Sequence, residues 1–299
     1  MAATPRYDHV SFLSDYGTRD EFVGVVKGVI AEIAPHVRVL DVTHEIPPFD
    51  VRAGSLALAR AVSYLPSGVV LAVVDPGVGT TRRAVAVSVG GGRGVLVGPD
   101  NGLLSMAVAL AGGSDEAVVL TDARWHLEAP GATFAGRDVF APVAAHLCNG
   151  VPLAELGESI ATDLLMPGVV PIPRVEGDAA AVEVTWVDRY GNCQLNVGPG
   201  DLPGWASPLR IVVTTPAGER VTRSAAIAAS FAGIGAGLGL VVDSYGMYAL
   251  CIDRGSAAEE LGLASGDAVT IERGESAGST ATAPRETRVE MGRRGGGAR

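Results

Sequence analysis

The first half of the chain alternates short apolar runs with longer segments in which apolar residues recur every three or four positions. The first kind of segment is typical of buried strands and the second of helices packed on a sheet. This alternation predicts a sheet with parallel strand pairs and helices on both faces. The expected strands cover residues 10–13, 37–42, 69–74, 84–89, 95–97 and 118–120, and the expected helices cover 20–33, 51–64, 103–110 and 138–147, with Asp50 capping the second helix.

The pattern changes after residue 165. Three prolines fall within residues 166–174, where neither a helix nor a central strand can continue, so this segment is read as a linker. Strand-like segments dominate beyond it, and only residues 257–261 have helical character. We therefore expect an α/β domain over residues 1–165 and a smaller antiparallel β domain over 175–274. The tail over 275–299 has few apolar residues to bury and is expected to be disordered.

Composition and charge favour a globular protein and argue against nucleic-acid-binding and membrane-spanning classes. The chain has 299 residues, of which 47% are hydrophobic and 19% charged, as in an ordinary globular protein. Its net charge of −10 argues against nucleic-acid binding, which requires a basic surface. The apolar stretch over residues 22–34 is interrupted by Lys27 and Glu32 and is too short for a membrane span, and the N-terminus lacks the apolar core of a signal peptide. These features predict a soluble intracellular protein.

The cysteines and histidines bear on the cellular setting and on metal binding. Cys148, Cys193 and Cys251 are odd in number, widely spaced and form no CxxC pair. A reduced cytoplasmic setting is therefore expected. The five histidines are scattered without the spacing of metal ligands, so no metal site is predicted.

Two acidic turns carry the candidate chemistry. Asp15 follows the apolar run 9–13, and Asp75 follows the run 69–74. Open α/β sheets hold ligands in the crevice beyond the carboxyl ends of their strands. Arg82 lies seven residues after Asp75 on a glycine-containing loop and would keep its carboxylate ionised and oriented. Each turn taken alone also fits a simple strand-to-helix connection, and the loop has no phosphate-binding glycine motif.

Six motifs together resemble one family. They are LSDYG at 13–17, DVTHEIPPFD at 41–50, DPGVGTTR at 75–82, GPDNGLL at 98–104, TFAGRDVFAP at 133–142 and DRYGN at 188–192. In this order, over residues 8–272, they resemble the S-adenosylmethionine (SAM) hydroxide adenosyltransferases, or SAM hydrolases. The SAM-dependent fluorinase and chlorinase are relatives of that family.

The resemblance implies an N-terminal α/β sandwich-like sheet domain and a smaller C-terminal antiparallel β-barrel-like domain. It implies a homotrimer with active sites between subunits. It also implies a reaction in which water or hydroxide attacks C5′ of the ribose and methionine departs, leaving adenosine. SAM is then the small-molecule substrate, and no cofactor is needed.

The resemblance also assigns substrate contacts. Asp15 would bind the ribose hydroxyls, and Phe49 would pack on the sugar or base. The C-terminal domain of the neighbouring subunit would hold the methionine and adenine ends through four positions. These are Asp188, Asn192, Ser244 near the methionine carboxylate, and the backbone around Arg254 near the adenine edge.

Asp75 and Arg82 match two members of the Asp-Arg-His set that positions water in the hydrolases. The halogenases carry a tyrosine-like residue at position 75, and a carboxylate there would repel a halide. The family histidine is replaced by Ala135. The water would then depend on Asp75 and Arg82, or on a group from elsewhere such as His126.

The leading hypothesis is a SAM hydrolase. A SAM- or adenosine-binding protein without efficient catalysis is the alternative from another class, because of Ala135. A SAM-dependent halogenase is the enzymatic alternative. A peptide-binding module over residues 175–274 is the remaining interpretation, from a strand-helix-strand pattern near residues 254–267.

Overall fold

A computed structural model of the protein describes residues 6–214 and 218–274. The chain forms a seven-stranded sheet followed by an eight-stranded sheet. The tail that was predicted to be disordered, residues 275–299, lies outside the described residues. Within the described ranges, no helix combines the length and apolar character that a membrane span needs.

The first sheet has mixed direction. Its strands are β1 (His9–Ser14), β2 (Arg38–Thr43), β3 (Val69–Val73), β4 (Ala84–Val89), β5 (Gly94–Pro99), β6 (Ser114–Val119) and β7 (Glu158–Ile160). They lie in the order β2-β1-β3-β5-β4-β6-β7. The first four in this order are parallel, whereas β4, β6 and β7 continue the sheet through antiparallel pairs. The parallel half therefore presents the carboxyl ends of neighbouring strands at one edge.

Helices cover both faces of this sheet, which confirms the predicted α/β class. They are α1 (Phe22–Ile33), α2 (Val51–Val62), α3 (Ser105–Leu110) and α4 (Ala141–Cys148). Alternate residues of β3 point to opposite faces: Leu71 packs in a core with α1 and α4, and Val70 in a core with α2 and α3. A strand buried on both sides explains the continuous apolar run at this position.

Two helices differ from expectation at their start. The predicted cap of α2 is present, because the Asp50 side chain accepts a hydrogen bond from the Ala53 amide at 2.8 Å. The segment predicted as one helix over 138–147 instead begins as a π-helical turn, Gly136–Phe140, which continues into α4. Asp138 therefore lies inside the turn rather than at a helix start. The helix expected over 103–110 begins at Ser105.

The second sheet closes into a barrel. Its strands are β8 (Arg174–Glu176), β9 (Ala179–Val187), β10 (Cys193–Leu195), β11 (Leu209–Thr214), β12 (Arg220–Ala228), β13 (Leu238–Val242), β14 (Tyr248–Ile252) and β15 (Ala268–Arg273), with α5 (Ala257–Leu261) before the last strand. Strand β10 pairs with both β9 and β14, which closes seven strands into a ring and leaves β8 outside it. The pairing is antiparallel except between β12 and β13.

The barrel packs against α2. Arg52 forms an ion pair with Glu183 on β9 at 2.5 Å, and the Arg60 guanidinium lies 4.3 Å from the Trp186 ring centre. Residues 166–173, which contain the three prolines, form neither helix nor strand. The predicted domain boundaries in this stretch remain predictions.

The three cysteines are buried and unpaired. Burial raises the pKa of Cys148, Cys193 and Cys251 to about 12 in each case, and nearby carboxylates act in the same direction. At about pH 8, a thiol with that pKa is ionised in roughly one molecule in ten thousand. Since the thiolate is the reactive form, these groups are chemically inert in the folded chain.

We expect the folded protein to react negligibly with the disulfide reagent DTNB near pH 8, because its thiols are both inaccessible and protonated. After unfolding in guanidinium chloride, all three thiols should react. Absorbance of the released thionitrobenzoate measures both. Rapid labelling of the folded protein would contradict the burial of these side chains.

Candidate active site

The carboxyl ends of β1 and β3 bring the two acidic turns together. The parallel register pairs Ser14 with Val73, and the Asp15 amide donates to the Val73 carbonyl at 3.3 Å. Asp75 follows two residues after Val73. Both carboxylates therefore lie at the same edge of the sheet, where α/β proteins hold their ligands.

Asp75 is clamped by Arg82. The Arg82 Nε donates to both carboxylate oxygens at 2.8 and 3.0 Å, and Nη2 adds a further contact to Oδ2. The two side chains are only 6% and 16% exposed. The guanidinium carbon also lies 5.2 Å from the centre of the Phe140 ring. This forked geometry fixes the orientation of the Asp75 carboxylate and compensates its charge.

Asp15 is held beside Phe49. The Phe49 amide donates to Oδ2 of Asp15 at 2.9 Å. Burial raises the pKa of Asp15 and the neighbouring charge of Asp75 raises it further, while the amide bonds oppose these effects. Phe49 has a φ of 68° and its side chain is 70% exposed. An aromatic residue in this backbone region is uncommon and marks a position worth a functional explanation.

A series of polar contacts, buried at Ser14 and His44 and exposed at Asp41, supports the turn that carries Asp15. Ser14 Oγ lies 2.8 Å from His44 Nδ1, and His44 Nε2 lies 3.0 Å from Asp41 Oδ1. Lys27 Nζ bonds the other Asp41 oxygen at 2.6 Å. Although partial burial opposes it, the bonds from His44 and Lys27 lower the pKa of Asp41.

The series Ser14–His44–Asp41 has the order of groups found in serine hydrolases, but its serine is not a nucleophile. Ser14 is fully buried, and its hydroxyl accepts a bond from the Tyr16 amide at 3.3 Å. The His44 carbonyl also accepts from the Gly17 amide at 2.7 Å. Ser14 and His44 therefore shape the turn. Sequence reasoning did not single them out, because their contact joins two strands far apart in the chain.

The segment around Ala135 borders the same edge. The Phe134 ring packs on Phe22 and Tyr16, with ring centres 5.0 and 5.7 Å apart. Ala135 is followed directly by the π-helical turn, a feature that often occurs at functional sites. Arg137 forms an ion pair with Asp138 at 2.5 Å.

His126 lies in a different electrostatic setting. Burial lowers the pKa of His126, and the charge of Asp122 opposes this. Among the described residues its buried Nε2 has no hydrogen-bond partner. Its charged neighbour is thus Asp122, not the Asp75–Arg82 pair. Over the same ranges, no group of three or more His, Cys, Asp or Glu is arranged to hold a metal ion.

The barrel residues form a second cluster. Asp188 Oδ1 accepts from the amides of Tyr190 and Asn192 at 2.8 and 2.9 Å, and Oδ2 accepts from Asn192 Nδ2 at 2.8 Å. Asp188 therefore closes its own turn and orients the Asn192 side chain. Arg254 has a φ of 54°, so its backbone turns sharply just before α5.

Asp188 and Asn192 line two adjoining cavities. One of about 430 Å³ also contains Ser244, and one of about 880 Å³ also contains Arg254. Both cavities are lined by barrel residues alone. The structure therefore brings four predicted site residues together on the barrel and the other four together at the sheet edge.

A cleft of about 610 Å³ lies between part of α2 and the barrel of the same chain. Ser244 and Arg60 line it, whereas Asp15, Phe49, Asp75 and Arg82 do not. This cleft does not join the two clusters into one site.

Comparison with known proteins identifies the family of the chain. The family models for the SAM hydroxide adenosyltransferase N-terminal and C-terminal domains match residues 10–157 and 182–270. An (R)-S-adenosyl-L-methionine hydrolase from Salinispora tropica is 45% identical over 276 residues, covering 92% of this chain and 100% of that protein. A protein of the same name from Thermus thermophilus is 41% identical over 272 residues, covering 88% and 98%.

The chain is also similar to a solved structure and, at lower identity, to fluorinases. The crystal structure of an uncharacterized conserved protein from Thermotoga maritima superposes with a TM-score of 0.78 at 34% identity, covering 88% of this chain and 100% of that chain. A fluorinase from Actinoplanes sp. is 30% identical over 232 residues, which are 68% of this chain and 78% of the fluorinase. The resemblance inferred from the six motifs is confirmed: the chain belongs to the SAM hydroxide adenosyltransferase family.

Proposed function

We propose that this protein hydrolyses SAM to adenosine and L-methionine through attack of water at C5′ of the ribose. The observation that carries the proposal is the Asp75 carboxylate, clamped by Arg82 at the strand edge that also holds Asp15. The hydrolase names of relatives that are 41–45% identical support the same substrate and reaction.

The geometry suits a substitution at carbon. Water forms a bond to C5′ while the C5′–S bond breaks, and the electron pair of that bond passes to sulfur. The sulfonium thereby becomes the neutral thioether of methionine, so the leaving group needs no protonation. The protein mainly has to hold the ribose and the water in line, which is what oriented carboxylates at fixed positions provide.

Asp15 and Phe49 are proposed to hold the ribose. The amide of Phe49 occupies one oxygen of the Asp15 carboxylate, which leaves the other for sugar hydroxyls. The exposed Phe49 ring stands next to this carboxylate and offers a flat apolar surface to the sugar or base. The substrate brings its own leaving group, so we propose that the reaction needs no cofactor.

Water is favoured over halide as the nucleophile. Asp75 is a carboxylate with both oxygens turned toward Arg82, and a second anion placed beside it would meet Coulomb repulsion in a poorly solvated site. A neutral water can donate a hydrogen bond to the same carboxylate. The halogenase alternative therefore has less support than hydrolysis.

A binding protein without turnover is the second candidate, and Ala135 is the observation that favours it. The family pattern has histidine at this position, and an alanine can neither accept a proton nor orient water. Binding of adenosine without its formation from SAM would select this candidate.

We further propose a homotrimer whose active sites lie between subunits. The two clusters of site residues lie on different parts of one chain, and the barrel cavities have no sheet-edge residue in their lining. A neighbouring subunit's barrel placed over the sheet edge would unite them. Three unpaired thiols agree with the cytoplasm as the proposed location.

Incubation of the pure protein with SAM should produce adenosine and methionine in equal amounts, measured by liquid chromatography. Asp75→Asn should lower kcat by about a hundredfold or more, because the amide cannot accept the proton that water loses. Adenosine should still bind to this variant, as judged by calorimetry.

Asp122→Asn is the matched control. Asp122 is also paired with an arginine, but its partner Arg124 is exposed to solvent. It should leave kcat unchanged. Absence of adenosine from the wild-type reaction would overturn the proposed hydrolysis, and full turnover by Asp75→Asn would move the water-activating group elsewhere.

The Asp75–Arg82 pair also predicts an effect on stability. Arg82→Met should lower the free energy of unfolding by about 3–5 kcal/mol, because it leaves a largely buried carboxylate without its counter-charge. Arg124→Met removes an exposed guanidinium with a similar forked geometry and should have no measurable effect. Urea unfolding followed by circular dichroism measures both. Equal effects of the two substitutions would show that burial does not matter for the Asp75 pair.

Sites between subunits predict complementation. Asp75→Asn disables the sheet-edge cluster and Asn192→Ala the barrel cluster, so each homotrimer should be inactive. Co-expressed with different affinity tags and purified through both, mixed trimers should regain activity. Each mixed trimer then contains one complete site, so the purified sample should have about a third of the wild-type sites. No regained activity in mixed oligomers would show that each site is built within one chain.

A further inference from the structure

We propose that the Tyr16 hydroxyl orients the attacking water and so takes over the function that the family pattern assigns to the histidine missing at position 135. The inference rests on the proposed hydrolysis. It concerns a residue that the sequence analysis noted only as part of the LSDYG motif.

The Tyr16 ring is held in one orientation. Its backbone amide donates to the buried Ser14 hydroxyl at 3.3 Å, so the turn that carries it is fixed by the Ser14–His44 contact. Around the ring stand Phe22 and Phe134, with ring centres 5.6 and 5.7 Å away. Packing of this kind determines where the phenol oxygen lies.

The phenol oxygen lies against the π-helical turn. A Cβ atom built on Gly136 would collide with the Tyr16 hydroxyl, so only glycine fits there while the ring keeps its place. Gly136 follows Ala135 directly. The hydroxyl therefore reaches the stretch of backbone from which a side chain at position 135 would project, and the small alanine leaves room beside it.

The hydroxyl also lies among the charged groups of the sheet-edge cluster. The charges of Asp15, Asp75, Arg82 and Asp138 all act on it. No protein group among residues 6–214 and 218–274 forms a hydrogen bond with it, so its lone pairs are available. A phenol can accept a hydrogen bond as well as donate one.

Tyr16 is suited to orienting water and not to removing its proton. Burial first, and then the negative charges of Asp15 and Asp75, raise its pKa far above the usual value for tyrosine. The phenol therefore stays protonated near neutral pH. Asp75 therefore remains the group that takes the proton.

In the resulting arrangement, the water donates one hydrogen bond to the Asp75 carboxylate and one to the Tyr16 oxygen. Its lone pair is then directed toward C5′. The O–C5′ bond forms as the C5′–S bond breaks, the electron pair goes to sulfur, and the water proton passes through Asp75 to solvent. Tyr16 neither gains nor loses a proton, and charge balances because the sulfonium is neutralised as the proton is released.

His126 was the group suggested from the sequence for this task. It has a free buried nitrogen, but the charge that acts on it is that of Asp122, outside the sheet-edge cluster. Tyr16 is adjacent in sequence to Asp15 and is influenced by both members of the Asp75–Arg82 pair. The influence of Asp75 and Arg82 on its hydroxyl therefore favours Tyr16 over His126.

The test compares Tyr16→Phe with the double variant Tyr16→Phe, Ala135→His in the full-length protein. Removing the hydroxyl should lower kcat for SAM by about 10- to 100-fold with little change in KM, because the ribose contacts through Asp15 are untouched. Restoring the family histidine in the double variant should return kcat to within about threefold of the wild type. Tyr7→Phe, which removes the bond from the buried Tyr7 hydroxyl to the Gly92 carbonyl at 3.2 Å, is the matched control and should leave kcat unchanged.

Loss of kcat in Tyr16→Phe together with its recovery in the double variant supports the inference. Wild-type kcat in Tyr16→Phe overturns it while the proposed hydrolysis stands. A loss that the histidine does not restore, in a variant whose thermal midpoint equals that of the wild type, also overturns it. If the wild-type protein forms no adenosine, the proposed hydrolysis fails and this inference fails with it.

Discussion

The parallel pairing of β1 with β3 is the constraint on which the site depends. Its register sets Ser14 beside Val73, and the two carboxylates that follow these strands must then share one edge of the sheet. Burial raises the pKa of Asp15, and the nearby charge of Asp75 adds a smaller effect in the same direction. The surrounding residues stabilise these two partly buried carboxylates.

Arg82 contributes most to this stabilisation, because its guanidinium donates to both oxygens of Asp75 and compensates the negative charge of that carboxylate. Asp15 Oδ2 accepts a hydrogen bond from the Phe49 amide, and a carboxylate can accept further hydrogen bonds from a polar partner. The hydrogen bonds from Ser14 through His44 to Asp41 hold the turn that carries Asp15. A site of this kind is preorganised by its supporting contacts, so little rearrangement is required when substrate and water enter.

Local signals in the sequence were sufficient for the parts of the structure that depend on neighbours in the chain. Strand β3, the Asp50 cap and the meeting of Asp75 with Arg82 on one loop all follow from residues less than ten positions apart. Contacts between distant segments could not be found in this way, and the Ser14–His44 bond is an example. Strand β12 has no clear strand signal in the sequence, because four of its first five residues are polar and exposed. The π-helical turn was not predicted because it has the same apolar spacing as a helix.

Both clusters of site residues include exposed aromatic side chains. Phe49 at the sheet edge is 70% exposed and adopts a left-handed backbone conformation that costs of order 1–3 kcal/mol. On the barrel, Tyr190 and Phe231 line the cavity of Asp188 and Asn192 and are 77% and 49% exposed. In the proposed assembly, substrate and the neighbouring barrel would cover these rings and exclude water from the sulfonium. Water would then be admitted chiefly where Asp75 and Tyr16 can hold it, which ties the selectivity of the reaction to association of the subunits.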